Sequence, residues 1–123
     1  MASETYRILF LGDIVGRPGR EAIKCGLPEL RQEHDPLFVI VNGENAAAGV
    51  GITPEIANDL FGWGVDAITL GNHAFNKREI YDYLNSQRPI VRPANMSPRV
   101  PGRLPRFPVR GLRPGPRSGR IDR

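Results

Sequence analysis

Side chains with oxygen or nitrogen donors follow three separate apolar runs of the sequence, and in each case a glycine lies between run and donor. Asp13 follows the first run, Glu44 and Asn45 follow the second, and Asn72 and His73 follow the third. Carboxylate and amide oxygens are hard ligands, which suit Mn, Mg or Fe better than Cu or structural Zn. The pattern therefore predicts a metal site that draws on all three runs.

The chemistry of such a site follows from its charges. Two adjacent divalent ions repel each other and need a bridging anion, which Glu44 on the middle run would supply. Such a pair acidifies a bridging water, and the hydroxide can attack phosphorus while the ions neutralise the phosphoryl oxygens. The leaving alkoxide needs a proton, and His73 is placed to give it. A single Gly-Asp or Gly-Asn is an ordinary turn, so only the three ends together indicate a shared site.

The elements that would position these residues are strands. Residues 38–41 are four apolar residues in a row, which predicts a strand buried on both faces of a parallel sheet. Residues 8–11 and 67–70 have the same form, and residues 89–93 predict a short fourth strand. Helical patterns separate them, so the order βαβαβαβ predicts an α/β fold with a mostly parallel sheet flanked by helices. Ligands bind at the carboxyl ends of the strands in such sheets.

Capping residues mark the predicted helices. The first helix runs from Pro18 to about residue 34, where Gly26 and Pro28 are expected to kink or divide it. The second begins after Thr53 as N-cap, with proline at its first position. The third spans residues 77 to about 85, with Asn76 as N-cap and a glutamate three residues later as in a capping box.

Length and composition predict one domain of a soluble protein, because the chain has 123 residues and 40% hydrophobic content. We predict a cytoplasmic protein that does not contact membranes, since the sequence shows no signal peptide and no apolar run of membrane-spanning length. Cys25 is the single cysteine, which excludes an internal disulfide, and its helical context predicts a half-buried structural thiol.

The composition changes near residue 98. Residues 100–123 hold seven arginines and one aspartate, so they carry +6 against a total of +4, which leaves the rest of the chain at −2. We therefore divide the chain into a folded part, residues 1–98, and an Arg/Pro/Gly-rich tail, residues 99–123, in which we predict disorder. Two interpretations of the tail stay open: a basic arm that binds nucleic-acid phosphates, or the out-of-frame translation of a GC-rich gene.

Three motifs then resemble one family. The runs ILFLGDIVGRPG (8–19), VIVNGENAAAGVG (39–51) and ITLGNHAFNK (68–77) are similar to those of the YmdB-type family of calcineurin-like metallophosphoesterases. The resemblance covers about residues 6–99 and implies the N-terminal half of the four-layer metallophosphoesterase fold. It also implies phosphodiesterase activity on 2′,3′-cyclic nucleotides, and a centre of two divalent or trivalent metal ions, iron first with manganese or magnesium as alternatives. A link to RNA and a homo-oligomer are left open.

Matching the motifs residue by residue assigns one proton donor, His73, and four metal ligands: Asp13, Glu44, Asn45 and Asn72. The family places three further metal-binding histidines downstream, whereas no histidine follows His73 in this sequence. The one other histidine, His34, is predicted to lie on the surface. The resemblance therefore predicts a truncated enzyme with impaired metal binding and turnover, and the alternative is a non-catalytic protein whose basic tail binds nucleic acid.

Overall fold

A computed structural model of the chain describes residues 4–86 and 88–102. Within this part, four strands alternate with three helices. The strands are β1 (Ile8–Leu11), β2 (Phe38–Asn42), β3 (Ala67–Thr69) and β4 (Ile90–Val91). The helices are α1 (Gly16–His34), α2 (Pro54–Gly62) and α3 (Ile80–Leu84).

The strands form one parallel sheet in the order β1-β2-β3-β4. Phe10 pairs with Ile40 across β1 and β2, and Asn42 pairs with Thr69 across β2 and β3. Because β2 lies between β1 and β3, the carboxyl ends of these three strands lie side by side. The α/β fold with a parallel sheet and accompanying helices is confirmed.

The prediction that β2 is buried on both faces is wrong. Val39 and Val41 are fully buried, whereas the alternate residues of β2 are only half-buried. On β1, Ile8 and Phe10 belong to the same open face and are 64% and 57% exposed. Right-handed crossovers between strands that follow one another in order place every crossover helix on the same face, so the helices cover the face of Val39 and leave the opposite one open.

Helix α1 continues through Pro28, so the helix is not divided at this residue. Lys24 and Pro28 both lie on the exposed side of α1, where water can satisfy the carbonyl that proline leaves without a partner. Ile23 and Leu27 face the core on the other side. Cys25 is exposed, so the prediction of a half-buried thiol is wrong.

The predicted start of α2 is confirmed, because the Thr53 hydroxyl accepts a hydrogen bond from the Ile56 amide at 3.3 Å. The predicted start of α3 is wrong. This helix begins only at Ile80, after a bend at Lys77 and a turn at residues 78–79. Asn76 does not cap it; a Cβ added at Gly51 would lie 3.1 Å from the Asn76 Cβ, so residue 76 packs against the loop that follows β2.

Residues beyond β4 fold back onto the body as far as Gly102. The Gly102 amide donates to the Asn85 side chain at 3.0 Å, and its carbonyl accepts from the buried Arg92 guanidinium at 3.2 Å. Most of the predicted tail, residues 103–123, lies outside the described residues. None of the helices within residues 4–86 and 88–102 has the length and apolar character needed to cross a membrane.

The one-sided core makes a prediction about stability. Ile68→Ala on β3 removes a side chain with no exposure and should lower the free energy of unfolding by about 2–5 kcal/mol. Ile8→Ala, the same change on the open face, should cost at most about 1 kcal/mol. Urea unfolding followed by circular dichroism would compare the two variants, and equal losses would contradict the burial pattern.

Candidate functional site

Backbone hydrogen bonds join the loops that follow β1 and β2. The Ile14 amide donates to the Asn42 carbonyl at 3.3 Å, and the Gly16 amide donates to the Asn45 carbonyl at 2.9 Å. Val15 and Asn45 form an isolated parallel bridge just past the strand ends. The pairing of the two strands is thereby extended beyond the sheet, which brings Asp13 next to Asn45. We call the carboxyl ends of β1, β2 and β3, with the loops that follow them, the site edge.

Asn45 connects an acid to an imidazole. Its Nδ2 donates to Asp13 Oδ2 at 2.7 Å, and its Oδ1 lies 2.5 Å from His73 Nδ1. Because an ionised carboxylate only accepts hydrogen bonds, the amide nitrogen must face Asp13 and the amide oxygen must face His73. This arrangement requires a proton on His73 Nδ1 and leaves Nε2 as the nitrogen that can exchange a proton.

The Glu44 carboxylate lies beside the hydrogen-bonded series Asp13–Asn45–His73, and 16% of its side chain is exposed. The His73 backbone amide donates to its Oε2 at 3.3 Å, and the Asn42 side-chain amide donates to its Oε1 at 3.4 Å. The His73 ring nitrogen Nδ1 is 4.0 Å from Oε2. Each oxygen of Glu44 therefore has its own donor, one from β2 and one from the loop after β3.

Gly71 makes room for Glu44. A Cβ at this position would lie 2.5 Å from the Glu44 carboxyl carbon, well inside van der Waals contact. Gly51, at φ +76°, brings the other end of the loop close enough for its amide to donate to the Glu44 carbonyl. Residue 71 is therefore glycine for a steric reason and residue 51 for a conformational one, and both glycines contact Glu44.

The structure brings together four of the five predicted site residues: Asp13, Glu44, Asn45 and His73. Asn72 is exposed between Gly71 and His73, and its side chain makes no hydrogen bond within the part of the chain that is described. Its predicted role as a ligand stays a prediction. His34 is exposed at the end of α1 and lines a hollow where β1 and β2 begin, at the opposite end of the strands.

Few of the predicted site residues carry a charge or an imidazole. Within residues 4–86 and 88–102, no three His, Cys, Asp or Glu side chains lie close enough to hold a metal ion together. The oxygens of Asn45 and Asn72 would have to contribute beside the two carboxylates. Sequence reasoning did not select Asn42, although it ends β2 and donates to Glu44. The available signal was its position between the apolar run and Gly43.

Comparison with known proteins identifies the family. The model of the YmdB-like protein family matches residues 9–107, and the chain therefore belongs to this family. The match extends beyond the predicted boundary between residues 98 and 99. The chain is 48% identical over 97 residues to the 2′,3′-cyclic-nucleotide 2′-phosphodiesterase of Bacillus subtilis strain 168, covering 79% of this chain and 37% of that protein.

Solved structures show the same fold. A hypothetical protein from Thermus thermophilus has a TM-score of 0.71 at 45% identity, over 78% of this chain and 37% of that one. A phosphatase from Mycoplasma pneumoniae has a TM-score of 0.71 at 36% identity, over 76% of this chain and 34% of that one. The chain thus spans little more than a third of the length of these relatives, which carry phosphatase or phosphodiesterase names where a function is given.

The Asn45 network predicts the tautomer of His73. Neutral His73 should carry its proton on Nδ1, because Asn45 presents only an acceptor to this nitrogen. Long-range ¹H–¹⁵N correlation spectra distinguish the two tautomers directly, and His34 serves as an internal reference in the same spectrum. In Asn45→Ala, His73 should no longer prefer the tautomer that is protonated on Nδ1. An Nε2-protonated ring at His73 in the wild-type protein would contradict the network.

Gly71 gives a steric prediction. Gly71→Ala should displace the Glu44 carboxylate, because its Cβ would overlap it, and should lower the free energy of unfolding by at most about 1 kcal/mol, since the carboxylate is the end of a flexible side chain and can move. The matched control is Gly26→Ala on α1, where a Cβ meets no atom within 4 Å and should stabilise the helix by about 0.5–1 kcal/mol. Thermal unfolding compares the two stabilities, and an Asn42 side-chain amide resonance that Gly71→Ala leaves unchanged would refute the close approach, because this amide donates to Glu44.

Proposed function

We propose that the site edge forms part of a metal-dependent phosphodiesterase site that acts on 2′,3′-cyclic nucleotides or related phosphodiesters. The observation that carries the proposal is the hydrogen-bonded series Asp13–Asn45–His73 beside the half-enclosed Glu44. It combines two anions with an oriented imidazole at the place where parallel sheets bind ligands. Family membership and the name of the Bacillus subtilis relative support the choice of substrate.

The donor set fits hard metal ions. The carboxylates of Asp13 and Glu44 and the amide oxygens of Asn45 and Asn72 would hold them, with Glu44 as the shared anion. Asn45 Oδ1 has two lone pairs, so its bond with His73 leaves one for a metal. Bound ions would stabilise the negative charge on a phosphoryl group. Four side chains cannot complete two shells of about six ligands each, so we expect weak metal binding.

His73 would donate the proton to the leaving alkoxide. Because Nδ1 is held by Asn45, the donating nitrogen is Nε2, and the ring is in its protonated form when it acts. Asn45 keeps the ring in one orientation throughout, and Asp13 in turn fixes the orientation of Asn45. The His73 side chain is 34% exposed, which leaves the ring open to a substrate.

Metal binding and turnover test these roles separately. In the wild-type chain, Mn²⁺ should broaden the amide signals of residues 12–16, 43–46 and 71–74, and 2′,3′-cyclic AMP should be hydrolysed only with metal present. Glu44→Gln should lose both effects. His73→Ala should keep the broadening and slow hydrolysis by about 10²- to 10⁴-fold, with a smaller loss on an activated aryl phosphodiester that needs little protonation.

The control variant is Glu29→Gln, which removes an exposed carboxylate of α1 and should change neither measurement. The proposal fails if Mn²⁺ leaves the three loops unaffected or broadens exposed acidic residues equally. Loss of Mn²⁺ broadening in His73→Ala would instead make His73 a ligand. The alternative of a nucleic-acid-binding tail concerns residues 99–123, of which 103–123 lie outside the described residues, and it stays a prediction.

A further inference from the structure

Asn42 ends β2 two residues before Glu44 and has no role in the motif assignment. Its Nδ2 donates to Glu44 Oε1 at 3.4 Å, whereas its Oδ1 is buried and has no hydrogen-bond partner among the described residues. A buried acceptor without a partner is unfavourable, and an apolar side chain here would avoid that cost. The hydrogen bond that the amide nitrogen donates to Glu44 therefore explains why residue 42 is an asparagine.

The orientation of this amide follows from its neighbour. The Glu44 carboxylate can only accept hydrogen bonds, so the nitrogen of Asn42 must face it and the oxygen must point away. Asn42 itself is held firmly. It pairs with Thr69 across the sheet, its carbonyl accepts from the Ile14 amide, and a Cβ at Gly12 would lie only 3.0 Å from the Asn42 Cβ.

Two fixed donors thus act on different oxygens of one carboxylate. Asn42 contacts Oε1 from β2, and the His73 backbone amide contacts Oε2 at 3.3 Å from the loop after β3. Together these two long hydrogen bonds restrict the orientation of the Glu44 carboxylate. We propose that Asn42 is a positioning residue that orients Glu44 for metal bridging, an inference that rests on the proposed function of the site edge.

The first test uses metal-free protein. The backbone amide proton of His73 reports the position of Glu44, because the two are hydrogen-bonded. Asn42→Ala should shift this resonance, and Asn42→Ser, which is too short to reach Oε1, should shift it as well and serves if the alanine variant does not fold. The matched control is Thr69→Val, which removes the hydroxyl opposite Asn42 that likewise lacks a partner, and should leave the resonance in place.

The second test measures Mn²⁺ affinity from amide broadening in the same variants. Loss of a residue that orients a ligand should weaken binding by about 10- to 100-fold, and Thr69→Val should bind as the wild type does. Unchanged affinity in both Asn42 variants, or an unchanged His73 resonance, would overturn the inference. If the wild-type chain itself binds no Mn²⁺, the proposed function fails, and the metal-free measurement alone decides whether Asn42 positions Glu44.

Discussion

The Glu44 carboxylate occupies the space that a side chain at residue 71 would need, and the arrangement of the site edge depends on this close approach. The pairing of Asn42 with Thr69 sets the two loops that follow at a fixed separation. Because residue 71 is glycine, the carboxylate can lie against the third loop and accept from the His73 amide. A carboxylate pushed outward would lose this donor and the one from Asn42 together.

Asn45 shows why an amide is suited to the centre of this edge. It donates to a carboxylate and accepts from an imidazole at the same time, which neither an ionised aspartate nor a lysine can do. The series Asp13–Asn45–His73 crosses from the loop after β1 to the loop after β3. The three loops are therefore joined by side chains as well as by the backbone bridge between Val15 and Asn45.

The sheet has a covered face and an open one for a topological reason. Strands that follow each other in order, with crossovers of one hand, receive all their helices on the same side. The hydrophobic core accordingly lies between that face and α1 to α3, with Val39, Val41 and Ile68 at its base. The other face retains exposed large apolar side chains such as Phe10.

Much of this protein could be predicted from the sequence, because its strongest signals are local. Apolar runs interrupted by helical patterns determined the α/β order, and a glycine followed by polar donors identified the site edge and four of the residues that meet there. Capping was predicted where it depends on adjacent residues, as at Thr53, and failed at Asn76, where a contact with Gly51 from a distant loop takes precedence.

Only the tertiary structure decided features that depend on spatial neighbours. Four apolar residues in a row cannot show whether helices lie on one face of a sheet or on both, since this depends on strand order, and the open face of β2 was therefore missed. The contacts of Asn42 with Glu44 and of His73 with Asn45 are likewise visible only in the structure, and the partners of the second lie 28 positions apart in sequence. Residue types determined which groups could do chemistry, and the parallel pairing of three strands decided which of them touch.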